Sequence, residues 1–184
     1  SIERPLVFGN NDVPGVMLSS AAKEYLKIYG VLVGKKPLIF TNNDSAYETA
    51  IEFKKVGVDP IVLDTRKDPK SEIIDEAKNL NINIKFSYVV VAAKGYKKVK
   101  SAEIAKISED KQELGVMENI ICDCICVSGF WTPTIHLASQ SGNKTKFNKD
   151  LDAFVPDTSK QKETTLGAAN GTFTLEQTLK NSFD

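Results

Sequence analysis

The sequence has no apolar run near the roughly 18 residues of a membrane-spanning helix, no N-terminal signal pattern, and no excess of either charge. Lysine and arginine together number 24, as do aspartate and glutamate, so the formal net charge is zero. This balance gives no reason to expect nucleic acid or a membrane surface as a partner. We therefore expect a cytoplasmic protein.

Histidine and cysteine are also scarce. His136 is the only histidine, which excludes a multi-histidine metal site. The three cysteines, Cys122, Cys124 and Cys126, are an odd number within five positions, which argues against a disulfide framework and for a reducing compartment. On one strand they would share a face with about 7 Å between neighbours, too far for adjacent thiols to chelate one metal well. We expect them to be core residues and expect no metal site.

What is present is a strand–helix–strand pattern in residues 36–66. Two continuous apolar runs, 37–40 and 60–63, are typical of parallel strands that are covered on both faces. Ser45 and Glu48 between them fit a capping box at the start of a helix. Parallel neighbours require such a crossover, so the sequence predicts an α/β protein with a Rossmann-like sheet.

The rest of the chain predicts further helices and strands. Apolar spacing predicts one helix from about Ser19 with Gly30 as its left-handed cap, and another helix with Asp68 as its N-cap. From residue 86 the pattern changes from crossovers to a β-meander. The other predicted elements are a strand at 82–84, β segments at 88–92, 97–100 and 103–107, a strand at 120–127, a polar loop from 142 to 154, and a helix at 172–183.

The turn after the first apolar run lies where a dinucleotide-binding protein carries G-x-G-x-x-G/A. Here the six residues are Thr41-Asn42-Asn43-Asp44-Ser45-Ala46, of which only Ala46 fits. Asn43 would place a side chain between backbone and phosphate, and Asp44 adds a negative charge. Asp64, about 21 residues beyond Asn43, is where a ribose-binding carboxylate would lie. The unit is either an impaired dinucleotide site or a purely structural βαβ unit.

A second candidate site is the loop from Gly167 to Gly171, immediately before the final predicted helix. Two glycines that open a helix can seat an anion on its N-terminus. They can equally serve only to allow a tight turn. The residues alone leave both interpretations open.

Several blocks of the chain resemble a known family. Asp123 to Cys126 with Val127, Gly129 and Pro133 look like the signature that ends the pyridine-nucleotide domain of two-dinucleotide flavoprotein disulfide reductases. Further blocks are similar to the alpha subunits of heterotetrameric sarcosine oxidases. They are Arg4-Pro5-Leu6-Val7-Phe8 with Asn10-Asn11-Asp12-x-Pro14-Gly15, Phe40-Thr41-Asn42-Asn43-Asp44-Ser45-Ala46-Tyr47, His136-Leu137-x-Ser139-Gln140-Ser141-Gly142 and Gly167-Ala168-Ala169-Asn170-Gly171-Thr172-Phe173.

The resemblance implies an internal fragment with two nested domains. Residues 31–148 would form an inserted Rossmann-like, pyridine-nucleotide-type domain, and residues 1–30 and 149–184 would be segments of a first, FAD/NAD-type domain. The family's NAD site is expected mainly in that first domain, whose late loop matches Gly167 to Gly171. The expected cofactor-binding residues are Gly167, Ala168, Asn170 and Gly171, with Thr41, Asn43 and Asp64 at the other turn.

The family's reaction is the oxidative demethylation of sarcosine to glycine, with formation of hydrogen peroxide and transfer of a one-carbon unit to tetrahydrofolate. The resemblance places FAD and FMN with a beta subunit and its interface, and the folate site in a C-terminal domain of alpha. It implies the other subunits of a heterotetramer as partners and an inactive fragment without catalytic residues of its own. Two alternatives remain: the equivalent subunit of an amine or proline dehydrogenase, and a scaffold that docks subunits through residues 131–140.

Overall fold

The computed structural model describes residues 1–108, 110 and 113–183, which divide into two compact units. The first, Arg4–Phe130, is called the sheet unit below. The second, Ser1–Glu3 with the chain from Trp131 onward, is called the terminal unit. Within the described ranges, no helix is long and apolar enough to cross a membrane.

The described chain forms short strands and helices throughout. The strands are β1 Ile2–Glu3, β2 Val16–Leu18, β3 Pro37–Thr41, β4 Ile61–Asp64, β5 Asn83–Phe86, β6 Tyr88–Gly95, β7 Val99–Ile107, β8 Leu114–Ile121, β9 Cys124–Ser128, β10 Trp131–Thr132, β11 Thr145–Asn148 and β12 Ala153–Pro156. The helices are α1 Ser19–Tyr29, α2 Ser45–Lys55, α3 Glu72–Asn79, α4 His136–Gln140 and α5 Leu175–Ser182, with a 3-10 turn at Gly167–Asn170.

The sheet unit has three layers around a parallel sheet of order β2-β9-β3-β4-β5. Successive residues of a strand point to opposite faces, so each central strand serves two cores. One face packs against α1, α2 and α3, and the other packs against the antiparallel meander β6-β7-β8. The sheet residues of the helix-side core are Ile39, Val62, Cys124 and Cys126, and those of the meander-side core are Leu38, Phe40, Leu63, Ile125 and Val127. Burial on both faces explains the continuous apolar runs, and the predicted α/β fold is confirmed.

The predicted βαβ unit is present with its strands in parallel register. Leu38 pairs with Ile61 and Thr41 pairs with Asp64, with α2 as the crossover. The predicted helix from Ser19 is also confirmed, since α1 ends at Tyr29 and Gly30 adopts the left-handed conformation with φ of 64°.

The starts of α2 and α3 differ from the prediction. α2 begins at Ser45, with Asp44 in the N-cap position, so the predicted capping box is wrong. The Ser45 hydroxyl donates instead to the Asn43 side-chain oxygen at 2.6 Å. α3 has Ser71 as its N-cap rather than Asp68, because its helical turns start only at Glu72.

The predicted strand at 120–127 is two strands in different sheets. Ile121 ends β8 in the meander, and Cys124 begins β9 in the parallel sheet. Between them, the Asp123 carboxylate accepts hydrogen bonds from the backbone amides of Lys35 and Lys36 at 2.9 and 2.8 Å. The chain changes direction there because these bonds fix Asp123 to the start of β3.

The change of direction also separates the cysteines. Cys122 packs on the meander side, whereas Cys124 and Cys126 lie in the helix-side core with their Sγ atoms 3.6 Å apart. The prediction that all three share a face with about 7 Å between neighbours is therefore wrong. Burial raises the pKa of Cys122 to about 12, with smaller contributions from Cys124 and Asp123, so its thiol stays neutral near pH 7.

The meander and the terminal unit correct two further predictions. β7 runs unbroken through Ser101, and the third meander strand is β8 rather than a segment at 103–107. In the terminal unit, the predicted polar loop at 142–154 contains β11, which forms an antiparallel hairpin with β12. Phe147 and Phe154 pair edge to face across the hairpin, with ring centroids 5.4 Å apart, so apolar packing stabilises it.

Candidate functional site

The carboxyl ends of β3, β4 and β9 meet at one edge of the parallel sheet. Thr41 lies opposite both Asp64 and Ser128, and all three residues are fully buried. We call this place, comprising residues 41–46, Asp64, Arg66 and Ser128, the carboxyl-edge site. The sequence placed Thr41, Asn43 and Asp64 here, because ligands of parallel sheets bind at this edge.

The Asn43 side chain fills the turn from within. It is 5% exposed, and its amide nitrogen donates to the Ser128 carbonyl and hydroxyl oxygens at 3.1 Å each. Its side-chain oxygen accepts from the Ser45 backbone amide at 3.0 Å and from the Ser45 hydroxyl. Ser45 is the first residue of α2, and such amides are the donors that a helix start offers to an anion. The oxygen of Asn43 therefore accepts from a donor that an anion could otherwise use.

Thr41 fixes the backbone that carries this side chain. Its hydroxyl accepts from the Asn43 amide and donates to the Asn43 carbonyl, both at 3.0 Å. A glycine at position 41 would supply neither bond. Thr41 therefore stabilises the conformation in which Asn43 points inward.

The Asp64 carboxylate is bound by groups of its own chain. Arg66 donates to it through Nε at 3.0 Å, through Nη2 at 2.8 Å and through its backbone amide at 2.9 Å. The Tyr47 hydroxyl donates to it at 2.8 Å. Arg66 Nη2 also lies 2.7 Å from the Asp44 carboxylate. A ribose hydroxyl would have to displace one of these donors to reach Asp64.

Burial and the neighbouring charges shift the pKa values of Arg66 and Tyr47 in this cluster. Burial alone would lower the pKa of Arg66, but hydrogen bonds and charge interactions with Asp64 and Asp44 outweigh it and raise that pKa. Burial and the neighbouring Asp64 carboxylate raise the pKa of Tyr47 far above its ordinary value. At neutral pH the cluster contains a charged guanidinium and a neutral phenol.

The raised pKa of Tyr47 predicts a loss of stability at alkaline pH. In the unfolded chain this phenol ionises near its ordinary pKa of about 10, whereas the folded chain keeps it protonated, so folding loses up to about 1.4 kcal/mol per pH unit above that value. Tyr47→Phe should remove this part of the slope and cost about 1 kcal/mol at neutral pH for the lost hydrogen bond. Urea unfolding at about pH 8 and about pH 11 measures both effects.

A matched control is Tyr25→Phe, since Tyr25 is a half-exposed phenol on α1. It should retain the alkaline slope of the parent chain. Equal alkaline slopes for the two variants would show that the buried Tyr47 phenol does not contribute to the loss of stability at alkaline pH.

The second candidate site forms a closed turn in the terminal unit. Gly167 and Gly171 flank it with φ of 67° and 80°, values that favour glycine. The amide of Gly171 donates to the Ala168 carbonyl at 3.4 Å, and that of Thr172 donates to the Gly167 carbonyl at 3.0 Å. Ala168 is half-buried and Asn170 is exposed.

The final helix starts beyond this turn. α5 begins at Leu175, and its N-cap Thr174 accepts from the Gln177 amide at 3.4 Å. The prediction that the glycines open the final helix directly is therefore wrong. The turn and the helix are separate elements because Thr174 provides the cap.

A cavity of about 270 Å³ lies beside Asn170 in the terminal unit. Hydroxyl and carboxylate groups dominate its lining, with Thr158 and Thr164 beside Asp157 and Glu163. Glu163 accepts from Ser141 and Asn143 side chains at 2.5 and 2.7 Å, so its position is fixed. Such groups pair with sugar hydroxyls better than with phosphates.

The residues singled out from the sequence thus lie in two places. Thr41, Asn43 and Asp64 lie together in the sheet unit, and the residues at 167–171 lie in the terminal unit. His136 is exposed at the start of α4. In the part of the chain that the structure describes, no three His, Cys, Asp or Glu residues are grouped to hold a metal ion. Sequence reasoning missed Arg66, whose only signal was its place two residues after Asp64.

Known proteins resemble the chain along nearly its whole length, although no family model matches it. It is 34% identical over 179 residues to sarcosine oxidase subunit alpha from Corynebacterium sp. (strain P-1), covering 96% of the chain and 18% of that protein. It is 36% identical over 169 residues to sarcosine oxidase subunit alpha from Rhizobium meliloti (strain 1021), covering 91% of the chain and 16% of that protein. The resemblance drawn from the sequence blocks is confirmed, and the chain spans less than a fifth of these relatives.

Solved structures share the fold at lower identity. Lactococcus lactis thioredoxin reductase matches with a TM-score of 0.67 and 17% identity, covering 96% of the chain and 58% of that structure. L-proline dehydrogenase from P. horikoshii matches with a TM-score of 0.55 and 20% identity, covering 91% of the chain and 28% of that structure. At such identities the likeness concerns the fold alone.

Proposed function

We propose that the chain is part of a sarcosine oxidase alpha subunit and contributes to the oxidative demethylation of sarcosine. In this reaction sarcosine yields glycine and hydrogen peroxide, and the one-carbon unit passes to tetrahydrofolate. The observation that carries the proposal is the identity of 34% and 36% to two such subunits over nearly the whole chain. The setting is a cytoplasmic heterotetramer, whose other subunits are the partners.

The proposal assigns no catalytic residue to this chain. FAD, FMN and tetrahydrofolate belong to other parts of the complex, and the isolated chain is inactive. We further propose residues 31–148 as an inserted domain, with 1–30 and 149–184 as segments of a first domain. The compact sheet unit Arg4–Phe130 supports an inserted domain, but it begins and ends earlier than residues 31–148.

NAD is the cofactor that concerns the chain itself. The carboxyl-edge site does not fit a dinucleotide. Asn43 accepts from the helix-start amide that a phosphate would use, and Arg66 donates to the Asp64 carboxylate that a ribose would use. In this proposal Thr41, Asn43 and Asp64 keep the frame of a nucleotide site without contacting NAD.

The turn in the terminal unit fits part of NAD better. Its glycines allow close backbone approach, and the adjoining cavity carries groups that suit sugar hydroxyls. We propose Gly167, Ala168, Asn170 and Gly171 as its NAD contacts within the longer subunit. When bound, NAD would serve a structural role here.

The isolated chain should fold but show no NAD binding below millimolar concentration. The reason is that Asn43 fills the turn at the carboxyl-edge site, while the terminal unit supplies only part of a site. Isothermal titration calorimetry measures this directly, and thermal unfolding with and without NAD provides a second readout. Micromolar binding would overturn the interpretation of the carboxyl-edge site.

Two other functions make different predictions for the longer protein. A proline dehydrogenase subunit, suggested by the shared fold, would support reduction of a dye by L-proline and not by sarcosine when assembled with its partners. A docking scaffold would retain beta-type subunits through residues 131–140, where Leu137 is 82% exposed. Leu137→Asp would then abolish retention in a pull-down, whereas the leading proposal expects sarcosine-dependent activity of the assembled complex.

A further inference from the structure

The Asn43 carboxamide makes hydrogen bonds on both sides of the turn. Its oxygen accepts from the Ser45 amide at the start of α2, and its nitrogen donates to Ser128 at the end of β9. Ser128 lies 85 residues beyond Asn43 in sequence, so the side chain joins two parts of the sheet edge. With 5% exposure it is sealed from water.

The positive charge of Arg66 offers no alternative place for an anion. The Arg66 guanidinium lies 2.8 Å from the Asp64 carboxylate and 2.7 Å from that of Asp44. Two carboxylates therefore surround one cation, and the cluster has no positive charge left to attract phosphate. An anion would gain affinity here only from the helix start that Asn43 covers.

The geometry points to an internal plug: the Asn43 carboxamide substitutes for the anionic group of a nucleotide at the carboxyl-edge site and keeps this edge closed. The inference rests on the proposed function, in which this edge binds no dinucleotide. It adds the cause of this lack of binding, which is one replaceable side chain rather than the shape of the whole βαβ unit. Removing that side chain uncovers the Ser45 amide and the hydroxyl groups of Ser45 and Ser128, and a diphosphate can accept from these donors in the vacated place.

The test uses the whole 184-residue chain and ADP as the probe. Asn43→Gly, alone and with Thr41→Gly to complete G-x-G-x-x-A, should bind ADP at least about tenfold more tightly than the parent chain in calorimetry. Asn42→Gly is the matched control, because Asn42 is exposed and the change removes only the hydrogen bond from the Asn43 amide nitrogen to the Asn42 side-chain oxygen, while the bonds of Asn43 to Ser45 and Ser128 stay in place. This control should bind no better than the parent.

A second variant and a measurement on the parent keep the inference testable if Asn43→Gly does not fold. Asn43→Ala removes the carboxamide with less backbone freedom and should also bind inorganic pyrophosphate. In the parent, the Asn43 side-chain NH₂ protons should exchange slowly with solvent in NMR spectra. The reason is that this buried amide nitrogen donates to Ser128 and to the Asn42 side-chain oxygen. Fast exchange, or folded variants that bind no better than the parent, would overturn the plug. Tight ADP binding by the parent would instead overturn the proposed function.

Discussion

Replacing Arg66 with methionine is expected to lower the free energy of unfolding by about 3 kcal/mol. The substitution leaves the Asp64 carboxylate, which is 0% exposed, without its counter-ion. Breaking a buried ion pair costs about 3 to 5 kcal/mol, and the lower end applies because the Arg66 side chain is 31% exposed. Tyr47 and the Arg66 backbone amide still donate to Asp64 in the variant. Urea unfolding followed by circular dichroism measures the change.

Lys70→Met is the control for loss of an exposed positive charge. Lys70 is 85% exposed and lies 3.8 Å from Asp68, so its removal should change stability by less than about 0.5 kcal/mol. Combining Arg66→Met with Asp64→Asn should recover part of the loss, because the second change removes the unpaired charge. A variant at Arg66 no less stable than the one at Lys70 would show that the cluster contributes nothing.

The sheet itself could be predicted because its signals are local. Strands β3 and β4 are continuous apolar runs, and burial on both faces requires that pattern. Gly30 follows the last periodic residue of α1 and adopts the left-handed conformation that its position suggested. In each of these elements, the sequence signal lies within a few neighbouring residues.

The state of the carboxyl-edge site could be predicted only in part. The missing glycines indicated either an impaired site or a purely structural unit, and in the structure the Asn43 side chain lies within the turn. However, Ser128, which binds the Asn43 amide, lies 85 residues away, and no local pattern connects the two. Asp64 has the position of a ribose-binding residue, but the direction of the Arg66 side chain decides what it contacts. Tertiary contacts of this kind are not encoded in spacing.

The strand boundaries were missed for a similar reason. Residues 120–127 read as one apolar run, and the break at Asp123 depends on two backbone amides 87 and 88 residues away. The hairpin of β11 and β12 was hidden because polar residues surround the apolar pair Phe147 and Phe154. The first error comes from long-range partners that outweigh local composition, and the second from cross-strand packing that the polar composition conceals.

Gly171→Ala is expected to destabilise the terminal unit by about 2 to 3 kcal/mol. At φ of 80°, any other L residue is strained by about 1 kcal/mol or more. A Cβ atom at this position would also lie 2.5 Å from Leu151 Cδ1 and 3.3 Å from Val155 Cγ1, so the hairpin side chains must move, which costs about another 1 to 2 kcal/mol. Amide hydrogen exchange in β12 and α5 measures the loss where it arises.

Gly142→Ala separates the two causes within the same unit. Gly142 has φ of 83°, but its Cβ would meet only the flexible Lys160 side chain at 3.4 Å, an ordinary contact. This variant should therefore lose only about 1 kcal/mol, from backbone strain alone. Under the proposed function, Gly171→Ala should also reduce the NAD content of the longer subunit, whereas Gly142→Ala should leave it unchanged. Equal losses of stability in the two variants would show that Leu151 yields freely, and unchanged NAD content in both would argue against the turn as a cofactor contact.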